Sequence, residues 1–200
     1  SEIAGADVRL VDTQAPALLG AHGELLASPR LDNLSSVYAG LVALISAASA
    51  GASATSGAAA GDAVADDAIA MLAAFDHEEL GSETRSGACG PLLEDVLVRL
   101  RAGLGASSEE AARAMASSWC LSADAGHSVH PNYAEKHDPN VHPLAGDGPM
   151  LKVNANQRYA TDAHGEALWQ RLCEHAGVPS QVFVSNNSVP CGSTIGPLTA

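Results

Sequence analysis

The sequence predicts an α/β fold, with a mostly parallel central sheet covered by helices on both faces. Two observations lead there. Short apolar runs bounded by Gly or Pro alternate with longer segments whose apolar residues recur at helical spacing. The 200 residues are also 46% hydrophobic but only 4% aromatic, which suits a sizeable core of small side chains.

Each element follows from its local pattern. Residues 6–20 read as a strand running into a turn bounded by Pro and Gly. A helix is expected over 33–48, where Leu34, Val37, Leu41, Leu44 and Ile45 keep close to helical spacing. The Ala/Gly/Ser-rich stretch 49–67 reads as a flexible surface insertion. The short apolar run 68–75, followed by Gly81, reads as a buried strand. Helix 88–101 places Leu92, Leu93, Val96, Leu97 and Leu100 on one face. Helix 107–117 opens behind Ser107-Ser108-Glu109-Glu110, a capping-like start. Strand 118–123 then leads into a long loop, 125–148, rich in Pro, Asn and His; loops of that length are usually functional. A strand over 149–154, a helix over 162–176 and a strand over 180–185 come next, and 190–196 enters a further helix.

The acidic residues supply the chemistry. Glu78 and Glu79 lie just past the expected strand 68–75. In α/β sheets the crevice beyond the carboxyl ends of the strands is where ligands bind. Neighbouring strand positions point in different directions, so one Glu can grip a metal while the other faces substrate and moves protons. Alone, the pair reads as a solvated acidic turn. Asp32, at the mouth of the helix 33–48, and Asp124, after the strand 118–123, occupy similar settings. Carboxylates of this kind, topped up with His, suit a pair of divalent ions such as zinc, manganese or cobalt. The spacing between them is too long for a local motif.

Commoner signatures are missing. His77-Glu78 starts like His-Glu-x-x-His, but Gly81 stands where the second His belongs. Cys89, Cys120, Cys173 and Cys191 have no Cys-x-x-Cys spacing. Neither a Gly-x-Ser-x-Gly elbow nor a phosphate-binding glycine loop occurs.

The motifs resemble, in order and along almost the whole chain, the aspartyl aminopeptidase/aminopeptidase I family of dinuclear metallo-aminopeptidases. They are Asp-Thr-Gln-Ala-Pro (12–16), Ser-Pro-Arg-Leu-Asp-Asn-Leu (28–34) and Asp-His-Glu-Glu-Leu-Gly-Ser (76–82). Then come Ser-Ala-Asp-Ala-Gly-His-Ser-Val-His-Pro-Asn-Tyr (122–133), Gly-Pro-Met-Leu-Lys-Val-Asn (148–154), Gln-Arg-Tyr-Ala-Thr (157–161) and Pro-Cys-Gly-Ser-Thr-Ile-Gly-Pro (190–197).

The resemblance implies a zinc-exopeptidase-like three-layer sandwich and a role for each matched position. Asp32 bridges two metal ions, zinc with manganese or cobalt as alternatives. Glu79 ligates one ion and Asp124 the other. Glu78 is the general base and touches substrate. His127 lies near the reacting carbonyl, and Lys152 and Tyr159 line the pocket for the first side chain. An ammonium there favours N-terminal Asp or Glu in the peptide substrate. Residues 1–24 correspond to the end of an inserted oligomerisation domain and 25–200 to part of the catalytic domain, in a large homo-oligomer. The family's metal site has two further His ligands, expected outside this stretch. The stretch alone is thus expected to supply three of five ligands, to bind metal weakly and to show little or no activity. His130 reads as a loop support or subunit contact. His137, His142, His164 and His175 read as surface residues, and His22 as lying outside the catalytic core. Readings that compete are an aminopeptidase with neutral preference, a related dinuclear deacylase, and an inactive scaffold or cargo-binding relative.

Composition bounds the rest. A net charge of −13 argues against nucleic acid or an anionic membrane surface as partner. It also opposes long-range attraction of acidic peptides, so selectivity for them must arise locally at Lys152. Unpatterned cysteines fit reduced thiols in the cytoplasm; a vacuolar location, known for some relatives, is what the resemblance allows. No apolar stretch of about 18 residues, the length that spans a membrane, is expected.

Overall fold

The computed structural model describes residues 3–53, 68–186 and 188. The chain divides into two compact units, Ser1–Leu72 with Ala123–Ala125, and Ala73–Ser122 with Gly126–Ala200.

In the first unit, β1 (Ala17–Leu19) and β2 (Leu25–Ala27) form an antiparallel hairpin with Leu18 opposite Leu26. The turn passes through Gly20 at φ 100° and Gly23 at φ 67°, a left-handed path that glycine adopts without steric cost. The Glu24 carboxylate accepts the His22 amide at 2.8 Å. Backbone donors, its own first and then that of His22, hold Glu24 below the ordinary glutamate range. This hairpin joins residues on either side of position 24.

Helix α1 (Leu31–Ser53) is longer than its apolar pattern predicts, entering part of the stretch read as an insertion. Its entry is not helical: Asp32 (φ −84°, ψ 114°) is extended, Asn33 (φ −114°, ψ 19°) departs from helical values, and the peptide between them is cis. Regular helix begins only at Leu34. Gly40 lets the Leu72 side chain lie close, since a Cβ there would come within 2.9 Å of Leu72 Cδ1. Leu31–Ser49 is by length and composition apolar enough to cross a membrane, contrary to that expectation. Its apolar residues nevertheless repeat at the spacing of a helix with one packing face, and Asp32, Asn33 and several serines interrupt it.

The second unit holds α2 (Leu92–Gly103), α3 (Ser108–Ala116), β3 (Met150–Lys152), α4 (Ala163–Ala176) and β4 (Gln181–Phe183). The expected capping box is complete. Ser107 Oγ accepts the Glu110 amide at 3.3 Å, and the Glu110 carboxylate accepts the Ser107 amide at 2.8 Å. α4 starts at Asp162, whose carboxylate accepts the Gly165 amide at 2.8 Å, and ends at Gly177 with φ 64°. β3 and β4 pair in parallel, Leu151 opposite Val182. A parallel pair needs a crossover, and α4 supplies it. Cys173 of α4 and Phe183 of β4 are buried behind this unit.

The class is therefore α/β, with β3–α4–β4 as its parallel unit. Three expected strands fall short: 68–75 and 118–123 are without ladder partners among the described residues, and of 6–20 only Ala17–Leu19 is paired. A strand needs a neighbour for its backbone donors and acceptors, and apolar composition alone does not provide one. Ile69, Trp119 and Leu121 in these runs stay exposed. Most of the stretch 49–67, and all of 190–196, lie outside the described residues.

The loop 125–148 contains one short 3-10 turn, Ala134–Lys136. Gln181 of β4 pins it, with Oε1 accepting the Leu144 amide at 2.8 Å and Nε2 donating to the Leu144 and Gly148 carbonyls at 3.0 Å each.

Candidate metal and substrate site

The Glu78–Glu79 pair sits on a tied loop, not at the end of a paired strand. The Asp76 amide donates to the Ser86 carbonyl at 3.0 Å and closes the loop. His77, at φ 62°, starts the 3-10 turn Glu78–Leu80, and Gly81, at φ 95°, ends it. The His77 carbonyl accepts the Leu80 amide at 3.1 Å and the Ser82 amide at 3.0 Å. His77 Nδ1 lies 2.8 Å from Thr84 Oγ1. Gly87 packs onto the carbonyl of the buried Ser82 with no room for a Cβ. Both glutamates are exposed, and at three residues per turn they point about 120° apart. The divergence expected of strand neighbours thus arises from a different backbone.

Asp32 and Asp124 are brought into one neighbourhood by a residue that the sequence reading did not single out. Asn33 Nδ2 donates to the Ala123 carbonyl at 2.9 Å, and Asn33 Oδ1 accepts the Ala125 amide at 3.2 Å. One amide side chain therefore grips the backbone on both sides of Asp124 while following Asp32 in sequence. Both carboxylates are exposed. Asp124 sits on irregular backbone instead of leaving a strand.

His127, Lys152 and Tyr159 gather in the second unit. Lys152 Nζ, at the end of β3, lies 5.8 Å from the centre of the Tyr159 ring and 6.0 Å from that of Phe183. The Phe183 ring stands edge-on to His127 at 5.3 Å. Gly126 makes the approach possible, because a Cβ there would fall 2.7 Å from Met150 Cε and 3.4 Å from Lys152 Cε.

His137 corrects the sequence reading. It is not a surface residue but 2% exposed, with Nε2 3.1 Å from His127 Nδ1. Its burial comes from a bridge to Ser185 and from the Asp138 amide donating to the Val184 carbonyl at 3.1 Å. Burial, then the neighbouring His127 and His142, hold His137 below the ordinary histidine range, with the Ser128 backbone acting the other way. His130 behaves as a loop support: its Nδ1 accepts the Asn132 amide at 3.1 Å.

Among the described residues, no group of three or more His, Cys, Asp or Glu side chains is placed to hold a metal ion. The donors that suit a hard or borderline cation are the Asp32 and Asp124 carboxylates in the first unit and Glu79 in the second.

The family model for the aminopeptidase I zinc metalloproteases (M18) matches residues 1–200. The chain belongs to the M18 family. It is 54% identical over 199 residues to a "Probable M18 family aminopeptidase 2" of Streptomyces avermitilis, covering 100% of this chain and 43% of the relative. A protein of the same name from Pseudomonas savastanoi pv. phaseolicola is 43% identical over 194 residues, 97% of this chain and 40% of the relative. Among solved structures, Ape4 in its cryo-EM complex with Nbr1 superposes with a TM-score of 0.77 at 37% identity, over 93% of this chain and 33% of that one. The S. cerevisiae mApe1 dodecamer superposes at 0.67 and 30% identity, over 93% and 39% of the two chains. The M18 chain described here spans less than half the length of these relatives.

Proposed function

We propose that the complete protein is a metal-dependent aminopeptidase releasing the N-terminal residue, Asp or Glu, from peptides. The observation that carries this reading is the Asn33 clamp, which ties the chain next to Asp32 to the backbone on both sides of Asp124 across 90 residues of sequence. Oxygen donors of this kind suit divalent cations. Asp32 would bridge two ions, Glu79 would hold one and Asp124 the other, with zinc favoured by the family and manganese or cobalt as alternatives. Such ions polarise a carbonyl and make water acidic enough to attack near neutral pH.

The chain's own residues supply the rest. Glu78, on the diverging side of the 3-10 turn, takes a proton from the attacking water and returns it to the departing amine. His127 donates to the oxygen that gains charge as the carbonyl becomes tetrahedral. Lys152, close to the Tyr159 and Phe183 rings, meets the carboxylate of the substrate's first side chain. Tyr159 forms the wall beside it.

Residues 1–24 are assigned to the end of an oligomerisation domain and 25–200 to part of the catalytic domain. The dodecamer named for the yeast relative supports a large homo-oligomer, which we assign to the cytoplasm. A peptidase with neutral preference or a deacylase would have no use for Lys152. Hydrolysis of Asp- and Leu-linked substrates by the complete enzyme and its Lys152→Ala variant separates the readings. Equal loss on both substrates would remove the acidic preference.

A further inference from the structure

We infer that His137 is the positioning residue for His127, donating from its Nε2–H to His127 Nδ1 so that the His127 proton is held on Nε2, where it can serve an oxyanion. The inference rests on the role proposed above for His127. The two rings meet edge-on with centres 4.9 Å apart, and Nε2 lies 3.1 Å from Nδ1. Phe183 packs edge-on against both, at 5.3 Å and 5.4 Å. His137 is itself fixed by its backbone, its amide donating to the Ala134 carbonyl at 3.1 Å and its strand edge bridged to Ser185.

The proton's location follows from the buried end of the ring. His137 Nδ1 is buried without a hydrogen-bond partner, the Ser128 backbone being the smallest influence on the ring, whereas Nε2 has a partner at 3.1 Å. Orphaned buried N–H groups are rarer than underused acceptors, so the single proton of a neutral ring belongs on Nε2. Burial favours that neutral form. With Nδ1 of His127 accepting, the other nitrogen of the same neutral ring must carry the proton. Partners of this kind set tautomer and orientation, as they do for metal-ligating histidines, where their loss costs about 10- to 100-fold.

The test uses the complete enzyme and an N-terminal Asp peptide. His137→Phe is expected to lower kcat by about 10- to 100-fold with KM unchanged. His137→Gln, which keeps an N–H donor near the same place, is expected to recover most of the loss. In a His127→Ala background His137→Phe is expected to add nothing, and ¹⁵N spectra of the wild-type rings should show His127 protonated on Nε2. A His127 protonated on Nδ1, with His137 turned to the Ser128 backbone, overturns the inference. So does an undiminished effect of His137→Phe in the His127→Ala background, which marks a merely structural role. Loss with His127→Ala but not with His137→Phe sinks the inference alone, whereas an inert His127→Ala sinks the site reading together with it.

Discussion

Asn33 Nδ2 donates to the carbonyl of Ala123 at 2.9 Å, closing a long gap in sequence with one side chain. Its oxygen takes the Ala125 amide from the other side, so the backbone around Asp124 is set by the residue after Asp32. Asn33→Ala removes both bonds, and each intramolecular hydrogen bond contributes about 1 kcal/mol. The expected outcome in the complete protein is a loss of metal affinity of about 10-fold or more. Metal titration followed by metal analysis checks it, and unchanged affinity would mean that the clamp does not position the carboxylates.

Glu78 and Glu79 are neighbours on the same turn, and the proposed function gives them separate tasks. Glu78→Gln is expected to cut turnover by about 10²- to 10⁴-fold while metal content stays at the wild-type level. Glu79→Gln is expected to lower metal content itself. If both variants behave alike in metal analysis, the division of labour fails.

Lys152 faces two aromatic rings and carries the proposed preference for acidic residues. A charge-assisted hydrogen bond lost on Lys152→Ala should lower kcat/KM for an Asp-linked substrate by about 10- to 100-fold. Leu-linked substrates should change little. Steady-state kinetics on the two series gives the ratio.

The capping box at α3 makes a stability prediction. Ser107→Ala is expected to destabilise the protein by about 1 kcal/mol, read as a lower thermal midpoint. Glu110 is held below its ordinary value of 4.5, first by the Ser107 hydroxyl and then by the Ser107 backbone. A lowered folded-state pKa contributes stability above the unfolded value and loses it as pH falls through the folded one. The Ser107→Ala difference should therefore shrink below pH 4.5. A difference that is constant from neutral pH to well below that point would contradict the box.

The helices were legible because their signals are local. Ser107 with Glu110, and the apolar spacing of 92–100, place α2 and α3 within a few residues of where they stand. Leu34 to Ile45 likewise mark α1, although its length was underestimated. The strands were less legible. The runs 150–152 and 181–183 became strands because each found the other, whereas the more apolar 68–75 found no ladder partner among the described residues.

What the sequence by itself determined is the order of the motifs, the helix starts and the carboxylates available for chemistry. Spacing and residue type carry that information, and both are properties of a short stretch of chain. Only tertiary structure decided that Asn33 reaches across to Asp124, and that His137 is buried against His127 and Phe183 while standing in a polar loop. Burial and partnership of a loop residue depend on what folds over it, here the end of β4, and no periodicity within the loop encodes that contact.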